Sequence, residues 1–126
     1  MASVSVRYIV DDVAAAIGFY EQHLGFHVDM HPGPGFAMLS RGDLRLLLNT
    51  PGGGGGAGQT MADGRQPEPG GWNRFQIEVE DIENAVDRLK AAGARLRSEV
   101  IIGNGGKQVL VDDPSGNAVE LLEPRR

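Results

Sequence analysis

One order of elements is written twice in this chain. Val4 to Val10 alternates and is rich in β-branched residues, which suits a strand with Val4, Val6, Tyr8 and Val10 on one face and Ser5, Arg7 and Ile9 on the other. Asp11 or Asp12 then caps a helix with the apolar stripe Val13, Ile17, Tyr20 and Leu24, and Gly25 stops it. From Trp72 the pattern returns. Phe75, Ile77 and Val79 alternate with Arg74, Gln76 and Glu78; Asp81 caps; Ile82, Ala85, Val86 and Leu89 form the stripe; Gly93 ends it. An offset of 69 pairs Val10 with Val79, Asp12 with Asp81, Val13 with Ile82, Ala16 with Ala85, Ile17 with Val86 and Tyr20 with Leu89. One residue then drops out and Gly25 meets Gly93. Any strand, cap and helix would share some of these positions, but their number and order favour an internal repeat.

Three strand candidates follow each helix. In the first half they lie near Phe26 to Met30, Phe36 to Ser40 and Leu44 to Asn49, separated by His31-Pro32-Gly33-Pro34-Gly35 and by Arg41-Gly42-Asp43. In the second they lie near Leu96 to Val100, Lys107 to Val111 and Ala118 to Leu122, with Asp113-Pro114-Ser115-Gly116 as the last turn. The expected class is α+β, with two βαβββ modules forming a curved mixed sheet around a concave cavity. All 126 residues are read as one domain: module 1 spans about 1–50, a connector about 51–71 and module 2 about 72–126. The connector holds five consecutive glycines, Gly52 to Gly56, and no apolar periodicity. It reads as a flexible link, or as a lid that Met61 and Trp72 flank. No Lys-Ser or Lys-Thr follows at phosphate-loop spacing.

Composition narrows the chemistry. A formal charge of −5 with both signs interspersed argues against nucleic acid and membrane surfaces as partners. The chain has no cysteine, which excludes disulfides, thiolate metal sites and cysteine nucleophiles. Met1-Ala2-Ser3-Val4-Ser5 lacks the basic and apolar stretches of a leader, and no apolar run approaches the ~18 residues of a membrane span, so a cytoplasmic protein is expected.

The Val-x-Asp-(Val/Ile) junctions, Phe19-Tyr20 before Leu24-Gly25-Phe26, and Asp113-Pro114-x-Gly116-Asn117 before Val119-Glu120-Leu121 carry a resemblance over nearly the whole chain. The sequence resembles the vicinal oxygen chelate superfamily, which includes glyoxalase I, extradiol dioxygenases, fosfomycin-modifying enzymes and bleomycin-resistance binding proteins. The resemblance implies that each module offers a metal-ligand position on its first strand and another on its last. The first-strand positions fall on Ser5 and Arg74. Of the last-strand positions, Glu120 keeps the carboxylate, and its counterpart is Leu46, or Leu47 under another alignment of the turn. A guanidinium and an aliphatic side chain oppose a divalent ion, so no metal and no other cofactor is expected. His23, His27 and His31 are evenly spaced, but Gly25 breaks the helix between the first two, and they read as solvated rather than as a ligand tripod.

Alternation puts Trp72, Arg74, Gln76 and Glu78 opposite the helix-packing residues, lining the cavity. Glu120, Leu46, Leu48, Phe36, Met38, Gln108 and Leu110 join them as candidate ligand contacts, with Ser5 and Arg7 on the matching face of the first strand. Arg74 and Glu120 are expected to form an ion pair, acting either on a ligand or only as structure. Trp72, the single tryptophan, is either a stacking surface at the rim or a core or interface aromatic. The expected function is metal-independent sequestration of a hydrophobic or aromatic small molecule, an antibiotic or related natural product, as in the bleomycin-resistance branch, with no catalytic residue. The alternative is a metal-free lyase, isomerase or hydrolase with Glu120 as base and Arg74 as anion stabiliser. The resemblance also implies a homodimer with cavities at the interface.

Overall fold

The computed structural model describes residues 4–53 and 56–126. Met1 to Ser3 of the leader reading, and Gly54 and Gly55 of the glycine run, lie outside the described residues. The elements are β1 (Ser5–Ile9), α1 (Val13–Leu24), β2 (His27–Gly33), β3 (Phe36–Arg41), β4 (Leu44–Asn49), β5 (Phe75–Glu78), α2 (Ile82–Ala91), β6 (Arg95–Leu96), β7 (Ile101–Gly103), β8 (Gly106–Asp112) and β9 (Ala118–Pro124). They fall into two compact units, Met1–Gly70 and Gly71–Arg126. Among the described residues no helix is long and apolar enough to cross a membrane.

The first unit is a four-stranded sheet in the order β1-β4-β3-β2, with β1 parallel to β4 and the other pairs antiparallel. Asp12, not Asp11, is the N-cap of α1; its carboxylate accepts from the Ala15 backbone N–H, and Gly25 ends the helix at φ 71°. That angle suits glycine because a Cβ would crowd the following carbonyl. Val13, Ala16, Phe19, Tyr20 and Leu24 are the buried side of the helix. Tyr20 packs edge-on against Phe19 and Phe26, at ring separations of 5.1 and 5.4 Å.

The second unit repeats this plan. Its order is β5-β9-β8-β6, β5 lies parallel to β9, and β7 also pairs with β8. Thus β6 and β7 together occupy the place of β2, and the single strand expected from Leu96 to Val100 is two short pieces. Asp81 caps α2 by accepting from the Asn84 backbone N–H, while Glu123 Oε1 accepts from the Ile82 backbone N–H at 3.0 Å. The α+β class and the doubled βαβββ order follow the sequence expectation, realised as two sheets.

Register decides which side chains meet the helix. In the first unit Val6 pairs with Leu46, Tyr8 with Leu48, Leu39 with Leu46 and Ala37 with Leu48, and paired residues share a face. Leu39, Leu46, Leu48 and Ala37 are fully buried. Leu46 and Leu48 therefore belong to the core under the helix, and their assignment to the ligand-facing side is corrected. The open face instead carries Leu47 and Asn49, paired with Arg7 and Ile9 on β1 and with Met38 and Phe36 on β3. Burying each leucine contributes about 1.5–3 kcal/mol, which sets this register firmly.

The hairpin from β2 to β3 also differs from expectation. β2 runs on through His31-Pro32-Gly33, so only Pro34 and Gly35 make the turn. Proline is tolerated there because β2 is the outer strand and needs no donor on its free side. His23 packs on Phe19, while His27 and His31 lie on β2.

After β4 the chain turns tightly. Thr50 N–H donates to Gly35 O at 3.1 Å, Gly53 N–H to Thr50 O at 3.0 Å and Gly52 N–H to Gly58 O at 2.6 Å. A Cβ on Gly58 would stand 2.3 Å from Thr50 O, so part of the glycine content serves close backbone approach.

Candidate functional site

On the second unit the open face is built by strict alternation. Gln76 pairs with Glu120, Glu78 with Leu122, Gln108 with Leu122 and Leu110 with Glu120, whereas Phe75, Ile77, Val109, Val111, Val119 and Leu121 turn to the helix side. The sequence-predicted residues Arg74, Gln76, Glu120, Gln108 and Leu110 are thereby brought onto one surface.

At its centre lies the buried Glu120. Arg74 Nε and Nη2 both donate to Glu120 Oε1, at 3.1 and 3.0 Å, and Gln76 Nε2 donates to Oε2 at 2.5 Å. The expected ion pair forms with both guanidinium nitrogens on one carboxylate oxygen, leaving the other to the amide. Buried carboxylates require such partners because desolvation of an unpaired charge costs several kcal/mol.

The turn before β9 fixes this geometry. Asp113 Oδ1 accepts from the backbone N–H of Ser115 and of Asn117, both at 2.9 Å, and Asp113 Oδ2 accepts from Asn117 Nδ2 at 3.1 Å. Gly116, at φ 87°, closes the turn. Its carbonyl points to a residue that sequence reasoning missed: Arg97 Nη2 donates to Gly116 O at 2.8 Å, Nη1 to Gly71 O at 2.8 Å and Nε to Asp112 Oδ1 at 2.5 Å.

The Arg97 guanidinium also lies under Trp72, 4.8 Å from the indole centroid. Trp72 itself is 69% exposed, which excludes the core alternative. Arg74 Nη1 reaches Trp72 O at 3.4 Å, so two arginines grip the approach to β5.

In the first unit Phe36 and Met38 share the open face with Leu47 and Asn49, and Arg7 Nη1 donates to Asn49 Oδ1 at 3.1 Å. Ser5 is exposed at the start of β1. Strand register decides between Leu46 and Leu47: Arg7 corresponds to Gln76 under the 69-residue offset and pairs with Leu47 as Gln76 pairs with Glu120, so Leu47 is the counterpart of Glu120. On β2, hydrogen bonds from His27 and Ser40 hold the Asp29 carboxyl below the usual carboxylate range.

Of the metal-ligand positions that the resemblance implies, the second unit supplies Arg74 and Glu120. A guanidinium beside a carboxylate already bonded by Arg74 and Gln76 does not fit a divalent ion. Asp81, Glu83 and Glu123 bring ligand oxygens within 4.8 Å of one another at the start of α2. Each is engaged there, by Asn84 N–H, Lys107 Nζ and Ile82 N–H respectively. Glu83 and the neighbouring acids raise the Lys107 ammonium above its ordinary value.

No curated protein matches the chain. Solved structures do. A lactoylglutathione lyase from Agrobacterium tumefaciens is 24% identical, with 97% of this chain and 92% of that chain covered at a TM-score of 0.72. TnmS3, an antibiotic binding protein from Streptomyces sp. CB03234, is 21% identical, with 99% of both chains covered at 0.70. The bleomycin-binding protein from bleomycin-producing Streptomyces verticillus, complexed with copper(II)-bleomycin, is 21% identical, with 99% of this chain and 98% of that chain covered at 0.62. At these identities the likeness shows the fold. The family model described as Glyoxalase/Bleomycin resistance protein/Dioxygenase superfamily matches residues 3–121. With the match reaching from before β1 into β9, the chain belongs to the glyoxalase, bleomycin resistance protein and dioxygenase superfamily.

Proposed function

We propose that the open face carrying Trp72, Arg74, Gln76, Leu110 and Glu120 captures a hydrophobic or aromatic small molecule, an antibiotic or related natural product, and returns it unchanged. The observation that carries this reading is the commitment of both Glu120 oxygens, one to Arg74 and one to Gln76. A general base needs a lone pair within reach of its substrate, and here three donors occupy all but one of the roughly four lone-pair sites on the carboxylate, which weakens it as a base. An exposed indole, with apolar Leu110 paired to Glu120, offers stacking area with a few polar groups for orientation, the usual make-up of a small-molecule site.

Relatives by fold include an antibiotic binding protein and a bleomycin-binding protein, which supports capture; a lactoylglutathione lyase shares the same fold, so the fold alone does not choose. Micromolar capture requires about −8 kcal/mol, within reach of stacking and apolar burial.

The proposal includes a cytoplasmic homodimer in which two chains complete the cavities, expected to elute with twice the chain mass in light scattering. The decisive experiment is a compound screen read by Trp72 fluorescence with mass-spectrometric recovery. Stoichiometric uptake and unaltered compound support capture. Depletion of compound by substoichiometric protein, abolished by Glu120→Gln, would establish the metal-free enzyme instead.

A further inference from the structure

We propose that Arg97 is the positioning residue of this site: its guanidinium fixes Trp72 as a preset stacking surface that favours neutral arenes over cationic ones. This rests on the aromatic-ligand reading above and names its specificity. Trp72 precedes the first residue of β5 and is 69% exposed, so sheet pairing and burial do little to orient its ring. Arg97 supplies what they do not. Each of its three nitrogens has its own acceptor, Asp112 Oδ1, Gly71 O and Gly116 O, and its side chain is only 17% exposed. Gly71 is the residue before Trp72, so one planar cation holds both the backbone leading into the tryptophan and the face of its ring. Arg74, locked on Glu120, adds a contact to the Trp72 carbonyl.

The geometry also sets electronic character. A cation over one face of an indole is attracted by the ring quadrupole and draws π density toward itself. The opposite face is left poorer in electrons and backed by a guanidinium whose charge Asp112 only partly offsets. A cationic arene stacked there loses the attraction that tryptophan ordinarily gives it, whereas a neutral arene keeps its dispersion and apolar burial. Lysine cannot substitute, because an ammonium is a point charge that does not span the three separate acceptors of the planar guanidinium.

The test uses the full chain as wild type, Arg97→Gln and Arg97→Lys, each checked for native far-UV circular dichroism. Time-resolved fluorescence anisotropy of Trp72, the sole tryptophan, reports how firmly the ring is held. Calorimetric titration with quinoline and with N-methylquinolinium, near-isosteric and at a pH where quinoline is neutral, reports selectivity. We expect both variants to gain a fast depolarising component absent from wild type. The preference for quinoline over N-methylquinolinium should shrink about three- to tenfold in Arg97→Gln, the range a single aromatic stacking contact spans. Should Arg97→Gln not fold, Arg97→Lys, which keeps the charge and loses the fork, carries the anisotropy test and a smaller loss of preference. An unchanged anisotropy decay in the folded variants overturns the positioning role, and an unchanged preference overturns the selectivity. A wild type that binds neither compound overturns the aromatic-ligand reading and the selectivity together, while the anisotropy decay still decides whether Arg97 holds Trp72.

Discussion

Three donors converge on the largely buried carboxyl group of Glu120. Arg74→Ala removes two of them and leaves the carboxylate short of partners, so stability should fall by about 1–3 kcal/mol, moderated by the partial exposure of Arg74. Urea melts measure this directly, and the double replacement Arg74→Met with Glu120→Leu should recover most of the loss, since it removes both charges. Asp29 makes a second prediction. Its carboxyl is depressed in the folded chain, so its stabilising contribution is present above the ordinary carboxylate range and is lost as pH falls through the lowered folded value. In a carboxyl-carbon NMR titration, His27→Ala should move the Asp29 midpoint upward.

At this scale the charge pair was readable from sequence and its neighbour was not. Arg74, just before β5, and Glu120 on β9 fall at positions that the family resemblance implies converge. Arg97 binds two backbone carbonyls, which any residue can supply, and an aspartate 15 positions away, so nothing in its local pattern marks it.

Elements were legible where alternation was clean and ambiguous where it lapsed. Phe75-Gln76-Ile77-Glu78 assigns its own faces, whereas Leu44-Arg45-Leu46-Leu47-Leu48 is apolar at four of five positions and gives period two little to distinguish. Only pairing with β1 and β3 shows that Leu46 and Leu48 are the inward set. The glycine-rich turn was read as slack because composition reports backbone freedom and says nothing about close approach. The distinction can be tested with two alanines. Gly58→Ala would force its Cβ against Thr50 O and should sharply increase hydrogen exchange at Gly52, whose N–H donates to Gly58 O; Gly56→Ala meets nothing within 4 Å and should leave it protected.

For the whole molecule, the doubled βαβββ order was visible because caps and stops recur at a fixed offset, and both sheets adopt the same strand order. If the two units form one domain, as we propose, Trp72 fluorescence from the second and amide signals from the first should report one coincident urea transition. Separate midpoints would mean two independently folding modules.

The outermost strands opposite β1 and β5 are irregular in both sheets. β2 carries Pro32 and two register shifts along β3, and its counterpart is broken between Leu96 and Ile101 into pieces of two and three residues. A strand from another molecule seeking to extend either sheet at this edge would find a missing donor in one and an interrupted template in the other. The same flaws that obscured these strands in the sequence thus work against strand addition on that side of each sheet.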